Sequence, residues 1–249
     1  MTVTLADGWT ATVTDAPLTV APRFEGTRLR VTPALDKAER ERFLLDTFGS
    51  GAHLWDTPDE VRFDPATRSL AGVEFQLPAE SAGPADSARV PAAPAVRPGG
   101  LRADEARDFR LEQCGVLCRT PGDGVLTALR DLDVLDEPLD ARIGIAPDVA
   151  LLVQHGEVVG WSLTDPARHL TTPFTAPDPA PPSPATRRLL SACLDLITEP
   201  LIEDVEDREP AALARLHATD QALRTQTEDR RRADALLALL ANLMEDYGA

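Results

Sequence analysis

The chain has 249 residues, of which 43% are hydrophobic, so it is long enough to bury a substantial core. Its formal net charge is −16 and its aromatic content is only 4%. A negative field repels a phosphate backbone, and scarce rings disfavour base stacking, so we expect no nucleic-acid partner. No apolar run approaches the roughly 18 residues of a membrane span, and no export signal is visible, so we expect a cytoplasmic protein with no membrane partner.

The basic residues are almost all arginine, since Lys37 is the single lysine. Together with abundant alanine, proline and aspartate, this composition is typical of a GC-rich bacterial genome. Lys37 follows no glycine-rich loop, which excludes the usual phosphate-binding loop. Nucleotide chemistry by that route is therefore not expected.

The first segment, residues 1–78, is predicted to be β-rich with one helix. "TVTLADGWTATVT" alternates and breaks at Ala6-Asp7-Gly8, as a hairpin does. "ALDKAERERFLLDTFG" changes to helical spacing and ends at Gly49, and "EVRFDPATRSLAGVEFQLP" returns to strand, turn and strand. Leu35, Ala38, Phe43, Leu44 and Phe48 would form the apolar side of that helix.

Two proline-rich stretches, residues 77–101 and 171–186, divide the rest of the chain. Proline removes backbone donors, so neither stretch should form helix or inner strand. We therefore predict a connector over 79–107 that leads into a possible helix, a second β-rich segment over 108–170, and a second connector over 171–186.

The last segment, 187–249, carries three apolar stripes at helical spacing, which predict about three amphipathic helices. The expected fold class is α+β, with a mixed or mainly antiparallel sheet built from the two β-rich segments. The chain 1–249 could pack as a single domain.

Residues 111–124, "LEQCGVLCRTPGDG", are best interpreted as a hairpin whose turn is the glycine-flanked part. On a strand, Cys114 and Cys118 would stand roughly 13 Å apart, too far for a disulfide. If "ADEARDFRLEQC" were instead a helix running through Cys118, a redox pair would become possible. An odd number of cysteines, three with Cys193, also argues against a disulfide framework.

No metal or cofactor site is predicted. Zinc needs three or four ligands, and no second Cys or His cluster accompanies Cys114 and Cys118. The acidic run at 130–140 lacks the glycine and the final glutamate of a calcium loop. Its simplest interpretation is a solvated edge anchored by Leu132 and Leu135.

The leading functional hypothesis is a non-enzymatic protein-binding module, immunity-type or accessory, that meets a basic protein through an acidic face. Exposed tryptophans, Trp161 or Trp55, would add affinity. A second acidic run at 203–209 would enlarge the face if it lay nearby. The proposed partner-binding carboxylates are Asp131, Asp133, Asp136 and Glu137.

Two alternatives stay open. A hydrolase-like or small-ligand-binding enzyme could assemble its site from Ser50, His53, His155 and Asp148, and a pocket that gathers a histidine and a carboxylate would favour it. A structural protein could instead form a homodimer through its C-terminal helices, residues 211–249.

Overall fold

The computed structural model describes residues 1–6, 8–51 and 59–247, and it confirms the α+β class. Within these residues lie fifteen strands and seven α-helices. The strands are β1 (Thr2–Ala6), β2 (Trp9–Thr14), β3 (Arg23–Phe24), β4 (Arg28–Val31), β5 (Phe48–Gly49), β6 (Glu60–Phe63), β7 (Leu70–Gln76), β8 (Glu80–Ser81), β9 (Arg97–Pro98), β10 (Gly100–Ala103), β11 (Val116–Arg119), β12 (Val125–Leu129), β13 (Ala141–Ala146), β14 (Val149–Gln154) and β15 (Glu157–Thr164). The helices are α1 (Lys37–Asp46), α2 (Pro84–Ser87), α3 (Pro166–His169), α4 (Pro184–Leu196), α5 (Leu201–Glu206), α6 (Pro210–Thr225) and α7 (Arg230–Asp246).

The larger sheet joins strands from both β-rich segments. Strand β15 pairs with β14 along one edge and with β12 and β1 along the other, and β12 continues to β11 and β8. On the far side β14 pairs with β13, β13 with β9, and β10, two residues beyond β9, pairs with β2 beside β1. The path from β1 through β15, β14 and β13 to β9 is hydrogen-bonded, and the chain then continues from β9 into β10, which leads back to β1 through β2.

The first proline-rich stretch supplies the strands that complete this path, so the expectation that it is only a connector is wrong. Pro84 occupies the first turn of α2, where a missing N–H costs nothing. Pro98 lies in the two-residue bridge to β13, and the N–H of Gly99 donates to the Gly144 carbonyl at 3.1 Å. At Gly100 a Cβ would lie 2.0 Å from the Ala16 carbonyl oxygen, so only glycine permits this approach.

The smaller sheet is antiparallel in the order β3-β4-β7-β6-β5, and its alternating sequence separates two faces. One face is apolar and buried in the main core, with Leu29, Val61 and Phe75 among its residues. The other carries charged side chains, and there Arg30 donates to both carboxylate oxygens of Glu74, at 2.8 and 3.1 Å.

Helix α1 forms where the sequence predicts it, but it ends at Asp46, before Gly49, and none of its residues is buried. Leu35, expected on its apolar side, is 61% exposed. The helix is tied to the charged face of the smaller sheet instead, since Arg40 donates to Glu60 at 3.2 Å and to Glu74 at 2.9 Å. Ion pairing thus adds to an apolar contact, since the Phe43 ring lies over Gly72 of β7.

The hairpin predicted at 111–124 is confirmed. Strands β11 and β12 pair in antiparallel register around a turn of 3₁₀ helix at Pro121–Asp123, in which Gly122 has a φ of 73°. The three cysteines are free. Residues 104–115 contain no helix, so the alternative that brought Cys114 and Cys118 together on one helix is wrong.

The C-terminal segment forms four helices rather than three, because α4 ends at Leu196 and a separate short helix, α5, begins after Pro200. The predicted stripes pack inside the chain: Leu216, Leu223, Leu236 and Leu240 are buried in the main core. The apolar side chains expected to support dimerisation are thus at least partly used within one protomer. A homodimer through 211–249 stays a prediction.

A charged cluster fastens the helical segment to the β11–β12 hairpin. Arg119 donates to both carboxylate oxygens of Asp123, at 2.7 and 2.8 Å, to Asp195 Oδ1 at 2.7 Å and to the Ser191 carbonyl at 3.2 Å. Ser191 also donates to Asp123. Because Ser191 and Asp195 lie on α4, the hairpin and the helix are fixed to each other.

We expect Arg119→Met to lower the free energy of unfolding by about 3 kcal/mol, because it leaves the buried Asp123 carboxylate without its cation. The matched control is Arg215→Met, since Arg215 also pairs with Asp195, at 3.0 Å, but is 54% exposed; its loss should be below about 1 kcal/mol. Urea denaturation measures both, and equal losses would contradict this role for Arg119.

Candidate functional site

The candidate site lies where two strands, β1 and β12, pair with successive parts of the same edge of β15. Strand β12 pairs with β15 from Val125↔Thr164 to Leu129↔Gly160, whereas β1 meets it in parallel at Thr4↔Glu157. Since both strands cannot occupy the same edge, β1 must diverge from β15 where β12 takes over. Gly160 stands at this fork, where a Cβ would lie 2.3 Å from the Ala128 carbonyl oxygen.

A cavity of about 460 Å³ opens at this fork, between the two sheets. Thr4–Ala6 and 157–161 line it from the larger sheet, and Asp59 and Phe75 line it from the smaller one. Segment 107–114 forms a further wall. The volume falls in the usual range for small-molecule sites.

The wall at 107–114 is held by contacts to both sheets, which explains why it is not helical. The Trp9 indole donates to the Arg107 carbonyl at 3.1 Å, and its ring stacks on Phe109 with centroids 4.1 Å apart. From the smaller sheet, the N–H of Gly49 donates to Asp108 at 2.9 Å. These long-range contacts outweigh the local helical pattern.

Asp59 is the most perturbed carboxyl group of the cavity. It lies directly before β6 and is 2% exposed, and its Oδ1 accepts the N–H of Gln76 at 2.7 Å. The N–H of Cys114 is a second donor to this carboxylate. Burial outweighs both bonds and raises the pKa of Asp59 to about 7, with a smaller contribution from the negative charge of Glu74.

Trp161 lines the same cavity and is 1% exposed, so the expectation that it is an exposed partner contact is wrong. It lies in the centre of β15 and stacks on Phe75, with centroids 5.4 Å apart and ring planes 10° apart. Its Nε1–H is buried and has no acceptor among the described residues. A buried donor left in this way costs about 1 to 3 kcal/mol.

Cys114 completes the polar part of the cavity. Burial and the neighbouring Asp59 carboxylate raise the pKa of its thiol, and together they outweigh the opposing effect of the backbone N–H of Trp161. The thiol is therefore protonated at neutral pH, a state unsuited to a nucleophile. The arrangement can bind polar groups on a ligand, but it does not activate Cys114.

The structure does not assemble the hydrolase-like set. Ser50 is buried, and its hydroxyl is engaged twice: it donates to the Asp59 carbonyl at 3.0 Å and accepts the N–H of Val61 at 2.7 Å. Asp148 and His155 lie at opposite ends of β14, roughly 20 Å apart at the rise of a strand. His53 lies outside the described residues.

Asp148 and His155 each have another partner. Asp148 lies 3.1 Å from Nε2 of the buried His169, whose pKa burial lowers. His155 is an exposed hairpin-tip residue that lies 2.8 Å from Glu137. Of the three described members of the set, Ser50 alone touches the cavity region, through the backbone of Asp59.

The proposed partner-binding carboxylates lie on and around a 3₁₀ helix at Leu132–Asp136. Within it Leu135 and Val134 are buried, and Leu132 is partly buried against the same cluster, which confirms the anchoring role expected of Leu132 and Leu135. Two of the carboxylates have a cationic neighbour: Asp131 pairs with Arg130 at 3.2 Å and Asp136 with Arg89 at 2.5 Å. Glu137 lies beside the His155 ring. Trp55 lies outside the described residues.

Comparison with protein-family models, with curated proteins and with solved structures finds no match for this chain. The described residues contain no group of three or more His, Cys, Asp or Glu that could hold a metal ion. No helix among them is long and apolar enough to cross a membrane. The assignment therefore rests on the cavity itself.

Asp59 should make the stability of the protein depend on pH. Its pKa is about 7 when folded and near 3.8 when unfolded, so the folded state holds more protons between these values and loses stability as the pH rises through them. Asp59→Asn removes this ionisation. We therefore expect the free energy of unfolding of Asp59→Asn, minus that of wild type, to be larger at pH 8 than at pH 5 by about 2 to 3 kcal/mol.

Urea denaturation at the two pH values measures this difference. Asn keeps the Oδ1 acceptor for Gln76, so the substitution removes the ionisation but not that hydrogen bond. Asp133→Asn, at an exposed position, is the control and should show no such dependence. An equal effect of Asp59→Asn at pH 5 and pH 8 would contradict a raised pKa.

Proposed function

We propose that the protein binds a small organic molecule in the cavity between its two sheets. The observation that carries the proposal is the cavity itself, about 460 Å³ between the two sheets, whose lining includes the buried carboxyl group of Asp59 and the aromatic rings of Phe75 and Trp161. A volume of this size is usual for a small-molecule site.

The composition of the lining supports the same proposal. The lining is mixed: Phe75, Phe109 and Leu151 provide apolar surface on different walls, and charged side chains such as Asp59 and Glu157 provide polar surface. A ligand of this site would therefore combine an apolar body with polar groups.

The proposal concerns binding rather than turnover. Cys114 is held as a thiol, and the Ser50 hydroxyl is committed to the backbone of Asp59 and Val61. The three free thiols of the chain suit a reducing compartment, and on that ground we propose a cytoplasmic location.

We expect 1-naphthalenemethanol, a neutral probe with one ring system and one hydroxyl, to bind the wild-type protein and to shift the Trp161 indole N–H resonance in a ¹H–¹⁵N NMR spectrum. Trp161→Phe assigns that resonance. Cys114→Phe should abolish binding because its ring would fill the cavity, whereas Cys114→Ala should retain it. Binding that is unaffected by Cys114→Phe would place the probe elsewhere and contradict the proposal.

We also propose, as a second candidate function, that the run from Asp131 to Glu137 contacts a basic protein partner. The observation that favours it is rigidity: Val134 and Leu135 are buried, and the Gln154 amide donates to the carbonyls of Val134 and Glu137, at 3.0 and 2.9 Å. Exposed carboxylates on a rigid backbone can attract a basic partner and fix the orientation in which it binds. The neighbouring cations Arg89 and Arg130 weaken the negative field of this run.

The test compares partner retention from a bacterial lysate by wild type and by a variant with Asp131→Asn, Asp133→Asn, Asp136→Asn and Glu137→Gln. We expect at least a tenfold loss in the variant. A matched control changes the exposed carboxylates of the other acidic run, with Glu203→Gln, Asp204→Asn, Glu206→Gln and Asp207→Asn. An equal loss in both variants would assign the effect to net charge and not to this surface.

A further inference from the structure

We infer that the ligand of the inter-sheet cavity is an organic amine, whose protonated nitrogen pairs with Asp59 while its apolar ring system lies against Phe75 and Trp161. This inference rests on the proposed function and specifies the chemical class of the ligand. It follows from the charges around Asp59, from the ion pairs and hydrogen bonds already made by the arginines of the cavity lining, and from the aromatic residues Phe75 and Trp161.

Asp59 has no compensating cation among the described residues. The groups that act on its pKa are burial, the N–H groups of Gln76 and Cys114, and Glu74, and the one charged group among them is negative. A buried carboxylate without a cation is costly, and proteins normally pair such a group. A ligand that brings a positive charge into the cavity would therefore stabilise the ionised form of Asp59.

The arginines that line the cavity are already engaged within the protein. Arg130 donates to Asp131 at 3.2 Å and to Glu157 at 3.1 Å, and Arg107 donates to Glu105 at 2.9 Å and to the Gly8 carbonyl at 2.5 Å.

Arg110, the third arginine of the lining, also makes an interaction within the protein. Glu112 and Glu157 line the cavity as well, so its described lining is not a positively charged surface that would attract an anion.

The aromatic wall is suited to a ring-bearing cation. Phe75 and Trp161 lie nearly parallel, and both line the same cavity as Asp59. A cation near such rings is attracted by their quadrupoles, most strongly by tryptophan.

Three probes with the same ring and different charges test the inference: 1-naphthylmethylamine, 1-naphthalenemethanol and 1-naphthylacetate. Their dissociation constants are measured by calorimetry at pH 8, where Asp59 is mostly ionised, and the Trp161 indole resonance reports the location of each probe. We expect the amine to bind at least tenfold more tightly than the alcohol, and the carboxylate to bind most weakly.

Asp59→Asn should reduce amine binding at least tenfold and change alcohol binding less than threefold, because Asn removes the charge and keeps the acceptor. Asp133→Asn changes the net charge equally at an exposed site and should leave all three affinities unchanged. The alcohol also serves as a folding control, since its retained binding shows that the Asp59→Asn cavity is intact.

The outcomes separate the two proposals. If the amine and the alcohol bind equally, or if Asp59→Asn does not weaken the amine, the amine inference is overturned while the cavity remains a binding site. Tightest binding by 1-naphthylacetate overturns it in favour of an anionic ligand. If none of the three probes moves the Trp161 resonance, the proposed function fails and the inference fails with it.

Discussion

The candidate site depends on one constraint of backbone hydrogen bonding, the sharing of one edge of β15 by two strands. Each strand edge can satisfy one neighbour at a time, so β1, bonded through the Thr4 N–H to the Gly156 carbonyl at 2.8 Å, must give way where the Arg130 N–H donates to the Val159 carbonyl at 2.8 Å. The strands then separate, and the space between them cannot be closed by the larger sheet. Stacking of Phe75 on Trp161 places the smaller sheet across this space.

The chemistry of the cavity follows from the same geometry. Because two sheets enclose the site, Asp59 and Trp161 are removed from water, although the Trp161 indole N–H has no acceptor and Asp59 has no cation beside it among the described residues. Elsewhere the chain pairs its buried charges densely, as Arg30 does with Glu74 and Arg119 with Asp123. Asp59 is the contrast, a buried carboxylate whose one charged neighbour of note is negative. That contrast is why the cavity, rather than the acidic run, is the better-supported site.

Local patterns predicted several elements well. The hairpin at 111–124 was evident because turn residues lie between two β-rich runs, and the C-terminal helices were evident because leucines repeat at helical spacing. The segment 104–115 was less accessible to such reasoning, since its helical composition is overruled by contacts with Trp9 and Gly49, both distant in sequence. The residues around Asp59 give no sign of a binding site beyond its position before a strand. Trp161 is predicted from the sequence to be an exposed partner contact, but it is buried.

The sequence by itself determined the α+β class, the alternation of the strands and the unpaired state of the cysteines, because these depend on neighbours a few residues apart. Only the tertiary structure decided that the proline-rich stretch completes a sheet, that α1 lies on a charged face, and that Asp59, Cys114 and Trp161 share one cavity. Burial and charge compensation are properties of groups brought together from distant parts of the chain. A carboxylate has an ordinary pKa until the fold removes water from it and places no cation beside it.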